Sequence, residues 1–367
     1  MTAAVRDAAA RRDRRQRPAK KPRTGASLSD IAAARRIGLR HVSIEALSIR
    51  RRRCGRGWTY VGADSRPIRD SKLVRRFARL AVPPAYENVL YAEDPAAHLQ
   101  AVGRDAAGRL QYRYHPQWEQ VREQRKARRL ARLAKALPRI RRSIAQHLAS
   151  TTLGREFAAA AVIELVAHSA IRPGSEGYIR LHGTRGAATL LKSNVIARGR
   201  VLTLKFRSKG GKLITKELRA PRLAKAIAWL RRLPGRRLFR YRGEDGNIRN
   251  LTAHEVNAFL REIADAKISL KDFRTLLASA SVLEALAHTE PAPNERQRRK
   301  QVRAAVQAVA DDLANTVTIC RRSYVHDAVV AAFEDGALGR FSKALKGCRS
   351  PVRRARILAK VVTTELS

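Results

Sequence analysis

Cations outnumber anions by more than two to one in this chain: 77 Lys and Arg stand against 31 Asp and Glu, a formal net charge of +46. The carboxylates cannot pair that many basic groups, so any fold must spread the excess over its surface and bear the self-repulsion. Such a field draws a polyanion, and each phosphate it neutralises releases counterions. A membrane surface is polyanionic too. However, no stretch approaches the roughly 18 apolar residues of a spanning helix, and no signal-peptide core follows the N-terminus. Nucleic acid is the favoured partner, and a membrane is not. Hydrophobic residues make up 44% of the 367, enough for real cores, so folded domains must carry much of the charge.

Little else in the composition points to chemistry. Cys54, Cys320 and Cys348 are too few and too far apart for a disulfide frame or a zinc site. The nine histidines show no paired metal spacing, and no phosphate-cradling Gly-x-x-x-x-Gly-Lys-Ser/Thr loop is present. Any DNA chemistry here is expected to run with no nucleotide cofactor and no dedicated metal site.

The pattern along the chain divides it in three. Residues 1–38 are Ala, Arg, Lys and Pro with few large apolar groups and read as a flexible basic arm. An arm so rich in Arg also resembles an organelle transit peptide, but a DNA-tethering tail is the preferred reading. Residues 39–118 show short apolar runs split by turn residues, at 58–61, 87–91, 98–102 and 111–114, and predict a compact strand-rich N-terminal domain. Basic and aromatic residues interleave there: Arg51, Arg52, Arg53, Arg56, Trp58 and Tyr60, then Arg104, Arg109, Gln111, Tyr112, Arg113 and Tyr114. On strands such residues can touch phosphates and base edges; the alternative makes the aromatics core and the arginines a solvated face.

Residues 119–367 read as mainly helical. A basic helix spans 119–149 and an apolar one 156–171; strands at 195–197, 201–206 and 213–218 are joined by Arg198-Gly199 and Lys209-Gly210-Gly211 turns. From Pro221 the pattern is helical to the end, with Thr252 capping a helix over 253–264 and a break at 292–300. The fold class is therefore α+β: a small strand-rich N-terminal domain plus a larger, mainly α-helical domain with a three-stranded sheet.

Five residues stand out by setting. Arg172 lies at the exit of the apolar helix, Lys209 at a hairpin tip, and Arg274 follows Lys271-Asp272-Phe273 into a helix; Asn315 and Tyr324 close the set nine residues apart. Each has a plainer alternative. Arg172 and Asn315 could terminate helices, Lys209 could be a turn lysine, Arg274 could pair with Asp272 or Glu284, and Tyr324 could be core. Their order nevertheless resembles that of the type IB DNA topoisomerases, closest to the compact poxvirus-like bacterial branch. That family places Arg, Lys, Arg, His or Asn, and Tyr in this sequence, with the Lys on a β-hairpin, the second Arg in Lys-Asp-x-Arg-Thr, and the Tyr after Ser. The resemblance runs over about residues 39–341 and takes in Gly103-Arg104-Asp105 and Gln111-Tyr112-Arg113-Tyr114-His115-Pro116.

The resemblance implies that Tyr324 is a nucleophile forming a covalent 3′-phosphotyrosine, so that resealing needs no ATP. It makes Lys209 the general acid, and Arg172, Arg274 and Asn315 the groups that hold the phosphate oxygens. Forked guanidinium donors suit phosphate geometry and carry the charge that develops in transit. Arg104, Gln111, Tyr112, Arg113, Tyr114 and Lys271 become candidate DNA contacts, on duplex DNA bound by a monomer. Two places depart from the pattern: Asn315 replaces the commoner His and cannot titrate, and Cys320-Arg321 replace the Ser-Lys of the larger eukaryotic enzymes, with Cys320 read as a small packing residue. The rival readings are a tyrosine recombinase, which usually has His where this chain has Lys271, and a non-catalytic basic DNA-binding protein.

Overall fold

A computed structural model of the chain describes residues 28–364, and the chain divides into two compact units after Arg122. The first 27 residues of the expected arm lie outside the described residues. From Leu28 the expectation of a flexible arm fails: Leu28–Arg36 is a helix, α1, whose Ala33 and Ala34 pack with Leu39, Trp118 and Val121. Small alanines at helical spacing bury well even between arginines, a pattern that bulk hydrophobicity does not flag.

The N-terminal unit is built on one antiparallel sheet. Its strands are β1 (Ile49–Cys54), β2 (Gly57–Val61), β3 (Glu87–Tyr91), β4 (Leu99–Arg104) and β5 (Leu110–Tyr114), in the order β2-β1-β3-β4-β5. Helix α2 (Ser71–Arg79), capped by Asp70, lies between β2 and β3. One face packs Ile49, Tyr60, Val89, Tyr91 and Ala101 with Phe77 of α2, and a second core gathers Leu47, Ala92, Ala97, Leu99 and Val102. Strand β1 was not expected, because four consecutive arginines hide any alternation. Arg51 explains how the strand holds. Its guanidinium donates to the carbonyls of Val82, Pro83 and Tyr86 at 2.9, 3.0 and 2.7 Å and lies 4.1 Å from the Trp58 ring centroid. A cation with its donors satisfied and its plane stacked substitutes here for an apolar core residue.

The second unit is mainly helical and begins within the long helix α3 (Trp118–Ala149). Helix α4 (Arg155–Ser169) is buried continuously from Phe157 to Val166, as an all-round apolar helix must be. After α5 (Glu176–His182) comes the three-stranded antiparallel sheet of β6 (Val195–Arg198), β7 (Val201–Arg207) and β8 (Leu213–Arg219). Its turns are those expected, with Gly210 and Gly211 both at positive φ beside Lys209. The helices that follow are α6 (Pro221–Leu230), α7 (Ala253–Ala264), α8 (Leu270–Ala287), α9 (Glu295–Asp312), α10 (Val317–Tyr324), α11 (Asp327–Glu334), α12 (Ser342–Leu345) and α13 (Pro351–Thr364). The Thr252 cap is present as a reciprocal box with Glu255.

Two expectations after Pro221 need correction. A short hairpin, β9 (Arg240–Arg242) with β10 (Ile248–Asn250), interrupts the helices; three-residue strands are too brief to show a period, although Asp245-Gly246-Asn247 carries the turn chemistry. The helix break is confined to residues 288–294, because Asn294 caps α9 and the charged stretch from Glu295 is its first turn. Among the described residues no helix is long and apolar enough to cross a membrane.

His98 gives the N-terminal unit a pH dependence. It is 5% exposed, accepts from the Val42 N–H through Nδ1 at 3.1 Å, and packs between the His41 and Trp118 rings at 4.1 and 4.5 Å. Burial first, and the neighbouring His41 second, push its pKa down to about 4. Above about pH 6.5, the reference value for histidine, folded and unfolded states both hold it neutral. Below that the unfolded chain gains a proton that the folded one refuses, so stability falls as pH drops and levels off below about 4. Unfolding midpoints between pH 4 and 7 should therefore fall more steeply for the parent protein than for His98→Gln. Equal slopes would refute the assignment.

Candidate active site

Four chain segments meet around one buried cation. Arg274, 2% exposed, lies in the second turn of α8. Its Nη1 donates to the carbonyl of Ala170, just past the end of α4, and its Nη2 to that of Leu313, just past the end of α9, at 3.4 Å. Both carbonyls belong to helix C-termini, where the macrodipole concentrates negative charge. The guanidinium also lies 4.9 Å from the Tyr324 ring centroid. Burial pushes the Arg274 pKa below its ordinary value; interaction with the Tyr324 phenol opposes this and the charge of Arg172 adds to it. The alternative partners fall away, since Asp272 pairs with Arg129 and Glu284 with Arg354.

The two helix ends that accept from Arg274 each turn through a left-handed residue, Ala170 at φ 52° and Ala314 at φ 51°. This conformation costs a non-glycine residue about 1–2 kcal/mol and persists because the surroundings fix it. Each turn delivers a site residue. Beyond Ala170 comes Arg172, and beyond Ala314 comes Asn315, and Arg172 Nη2 donates to Asn315 Oδ1 at 2.6 Å. The amide is thereby oriented with Nδ2 as its free end. That Nδ2 is buried without an acceptor, and among the described residues it is the only such side-chain atom that is not an arginine Nε.

Arg172, Lys209, Arg274 and Tyr324 line one cleft of about 400 Å³, together with Lys271, Tyr178 and Arg185. Its lining includes five cationic side chains and no carboxylate, which makes it an anion site by composition. Lys209 is exposed at the tip of the β7–β8 hairpin, with Nζ 5.7 Å from the Tyr178 ring centroid. Asn315 joins the set through Arg172. Tyr178 and Arg185 were missed in the sequence, where each looks like one more aromatic or arginine. The available signal was the Ser175 cap, which places Tyr178 in the first turn of α5. Cys320 is fully buried, and its thiol is pushed up to about 11 by that burial.

The N-terminal candidates are not gathered in the same way. A pleated strand sends alternate side chains to opposite faces, so along β5 Tyr112 and Tyr114 share one face while Gln111 and Arg113 share the other. Gln111 donates to Asp105 at 2.9 Å, Arg104 to the Gly108 carbonyl at 2.9 Å, and Arg113 to the Ala81 carbonyl at 3.0 Å. Tyr114 stacks on Tyr112 and Trp118 and is 40% exposed.

Residues 115–349 match the family described as the catalytic core of eukaryotic DNA topoisomerase I, and residues 57–105 match the N-terminal domain of bacterial DNA topoisomerase IB. The chain belongs to the type IB DNA topoisomerases. It is thus a type I topoisomerase, an isomerase that acts on DNA. The matched core spans every element that lines the cleft. The DNA topoisomerase 1B of Acanthamoeba polyphaga mimivirus is 28% identical over 294 residues, covering 78% of this chain and 88% of that one.

The position of Arg172 depends on Gly186. The N–H groups of Ala187 and Ala188 hold the carbonyls of Arg172 and Pro173 at 2.8 and 2.9 Å. A Cβ on Gly186 would stand 2.4 Å from both the Arg172 carbonyl oxygen and the Gly174 nitrogen. Backbone cannot yield as a flexible side chain can, so Gly186→Ala should cost about 1–3 kcal/mol in urea unfolding. Displacing Arg172 should also slow plasmid relaxation about 100-fold. Unaltered relaxation would show that the loop has room that the geometry denies.

Proposed function

We propose that this topoisomerase relaxes supercoiled duplex DNA by cutting one strand through Tyr324, letting it swivel and resealing it without ATP. The observation that carries this reading is the convergence of Arg172, Lys209, Arg274 and Tyr324 on one cationic cleft that no carboxylate lines. The Tyr324 oxygen attacks phosphorus and loses its proton to solvent. The bond from phosphorus to the 5′-oxygen breaks as Lys209 supplies a proton to that leaving oxygen as general acid. The products are a 3′-phosphotyrosyl ester and a free 5′-hydroxyl. One ester replaces another, so the reverse step reseals the strand with no external energy.

Charge on the non-bridging oxygens falls to Arg172 and Arg274, whose positions are set before the substrate arrives. The Asn315 amide, already oriented by Arg172, offers its Nδ2 to one phosphate oxygen. A side chain that cannot titrate does this equally well, which suits a donor and not a proton shuttle. Lys271, exposed at the cleft edge, serves as a DNA contact. The N-terminal unit is a second DNA-binding body, presenting Tyr114 and Arg113 as its exposed candidates. The protein works as a monomer and resides with the nucleoid in the cytoplasm.

Tyr324→Phe should abolish relaxation of a supercoiled plasmid while leaving salt-sensitive duplex binding within about 2-fold, because binding rests on phosphate contacts. The parent protein should relax both positive and negative supercoils in EDTA without ATP. Relaxation by the phenylalanine variant, or an absolute need for Mg²⁺ or ATP, would overturn the mechanism.

A further inference from the structure

Where α3 runs through the second unit it carries Glu123, Lys126 and Arg129 three residues apart, a spacing that lines one side of a helix. Arg129 grips the start of α8. Its Nε and Nη2 donate to the two carboxylate oxygens of Asp272 at 2.9 and 2.7 Å, and Nη2 also reaches Ser269 Oγ at 3.0 Å. Ser269 and Asp272 form the capping box of the helix that carries Lys271 and Arg274.

Lys126 grips the end of α10. Its ammonium donates to the main-chain carbonyls of Arg322 and Val325 at 3.4 and 3.2 Å and pairs with Glu123 at 2.5 Å. These contacts engage all three of its N–H donors. Glu123 also accepts from the Asp327 N–H at 3.2 Å, and its main-chain carbonyl lies 3.1 Å from His326 Nε2. Because His326 Nδ1 accepts from the Ala328 N–H, a neutral ring carries its proton on Nε2 and donates it to that carbonyl. On the other side Ser279 Oγ donates to the Tyr324 carbonyl at 2.8 Å and accepts from the His326 N–H at 3.1 Å.

Helix α10 has eight residues, far below the roughly 12–15 at which a helix begins to hold itself in water. The height and rotation of Tyr324 are therefore set from outside, by the groups that grip its last turn. Among these Lys126 is a cation, placed where helix carbonyls concentrate negative charge. Its side chain is 16% exposed, and it does not line the cleft.

We propose that Lys126 is a positioning residue for the nucleophile, fixing the main chain on both sides of Tyr324 against α3. It touches neither the phenol nor the cleft, so it acts only through α10. This rests on Tyr324 being the nucleophile, which adduct formation by the parent protein tests separately.

The experiment is single-turnover cleavage by the full-length protein of a labelled duplex from which the short cleaved fragment diffuses away. Parent, Lys126→Met and Lys126→Arg are compared at saturating protein, with duplex Kd measured alongside. Lys126→Met should cleave about 10–100-fold more slowly, the loss expected for a misplaced reacting group. It should reach the same final extent of covalent adduct and bind the duplex with the same Kd, and Lys126→Arg should restore most of the rate. An unchanged rate would overturn the proposal. So would a reduced final extent at parental rate, which signals lost folded protein, or a rise in Kd that accounts for the whole effect, which signals a DNA contact. If the parent forms no adduct on Tyr324, the reading beneath the proposal fails, and not the proposal itself.

Discussion

A buried guanidinium without partners destabilises the fold that encloses it, and the two Nη groups of Arg274 are held by the ends of two helices, its Nε having no hydrogen-bond partner among the described residues. The carbonyls of Ala170 and Leu313 take its Nη donors, and the residues that follow those carbonyls are the ones that build the site. Arg172 and Asn315 meet because the turns that carry them are held by the same cation. Tyr324 lies against the face of that cation. Removing it would leave the carbonyls of Ala170 and Leu313 without that donor.

The same logic extends outward in charge-paired steps. Arg129 neutralises Asp272 at the head of α8, and Lys126 caps the foot of α10. Both come from two turns of α3, so one rigid element sets the start of the helix bearing Arg274 and the end of the helix bearing Tyr324. In a chain with a formal charge of +46, no carboxylate lines the cleft, and two acids of the helical unit, Asp272 and Glu123, lie outside its lining in ion pairs with Arg129 and Lys126.

Much of the helical unit was legible in the sequence, from a cap and a period at Thr252 and from a long apolar run over 156–171, and the Lys209 hairpin was legible from its glycines. The family was legible from five residues whose order mattered more than any one of them. What stayed hidden was long-range. The bond from Arg172 to Asn315 joins residues 143 apart, and so does that from Arg129 to Asp272; no local pattern encodes either. Strand β1 was hidden for a different reason. One of its arginines, Arg51, is tied down by loop carbonyls and a tryptophan face, which makes part of a charged run behave as structure. Helix α1 was lost inside a segment whose overall composition suggested a disordered tail.

The central claim is that Tyr324 becomes covalently joined to the 3′-end of a cut strand. The most direct measurement traps that adduct on a duplex labelled on the 5′ side of the break, digests the protein and sequences the labelled peptide by mass spectrometry. The account predicts a single modified peptide, spanning residues 323–340 if trypsin is used, with a 3′-phosphoryl DNA remnant on Tyr324. Label on another residue, or attachment through the 5′-end of the cut strand, would contradict it.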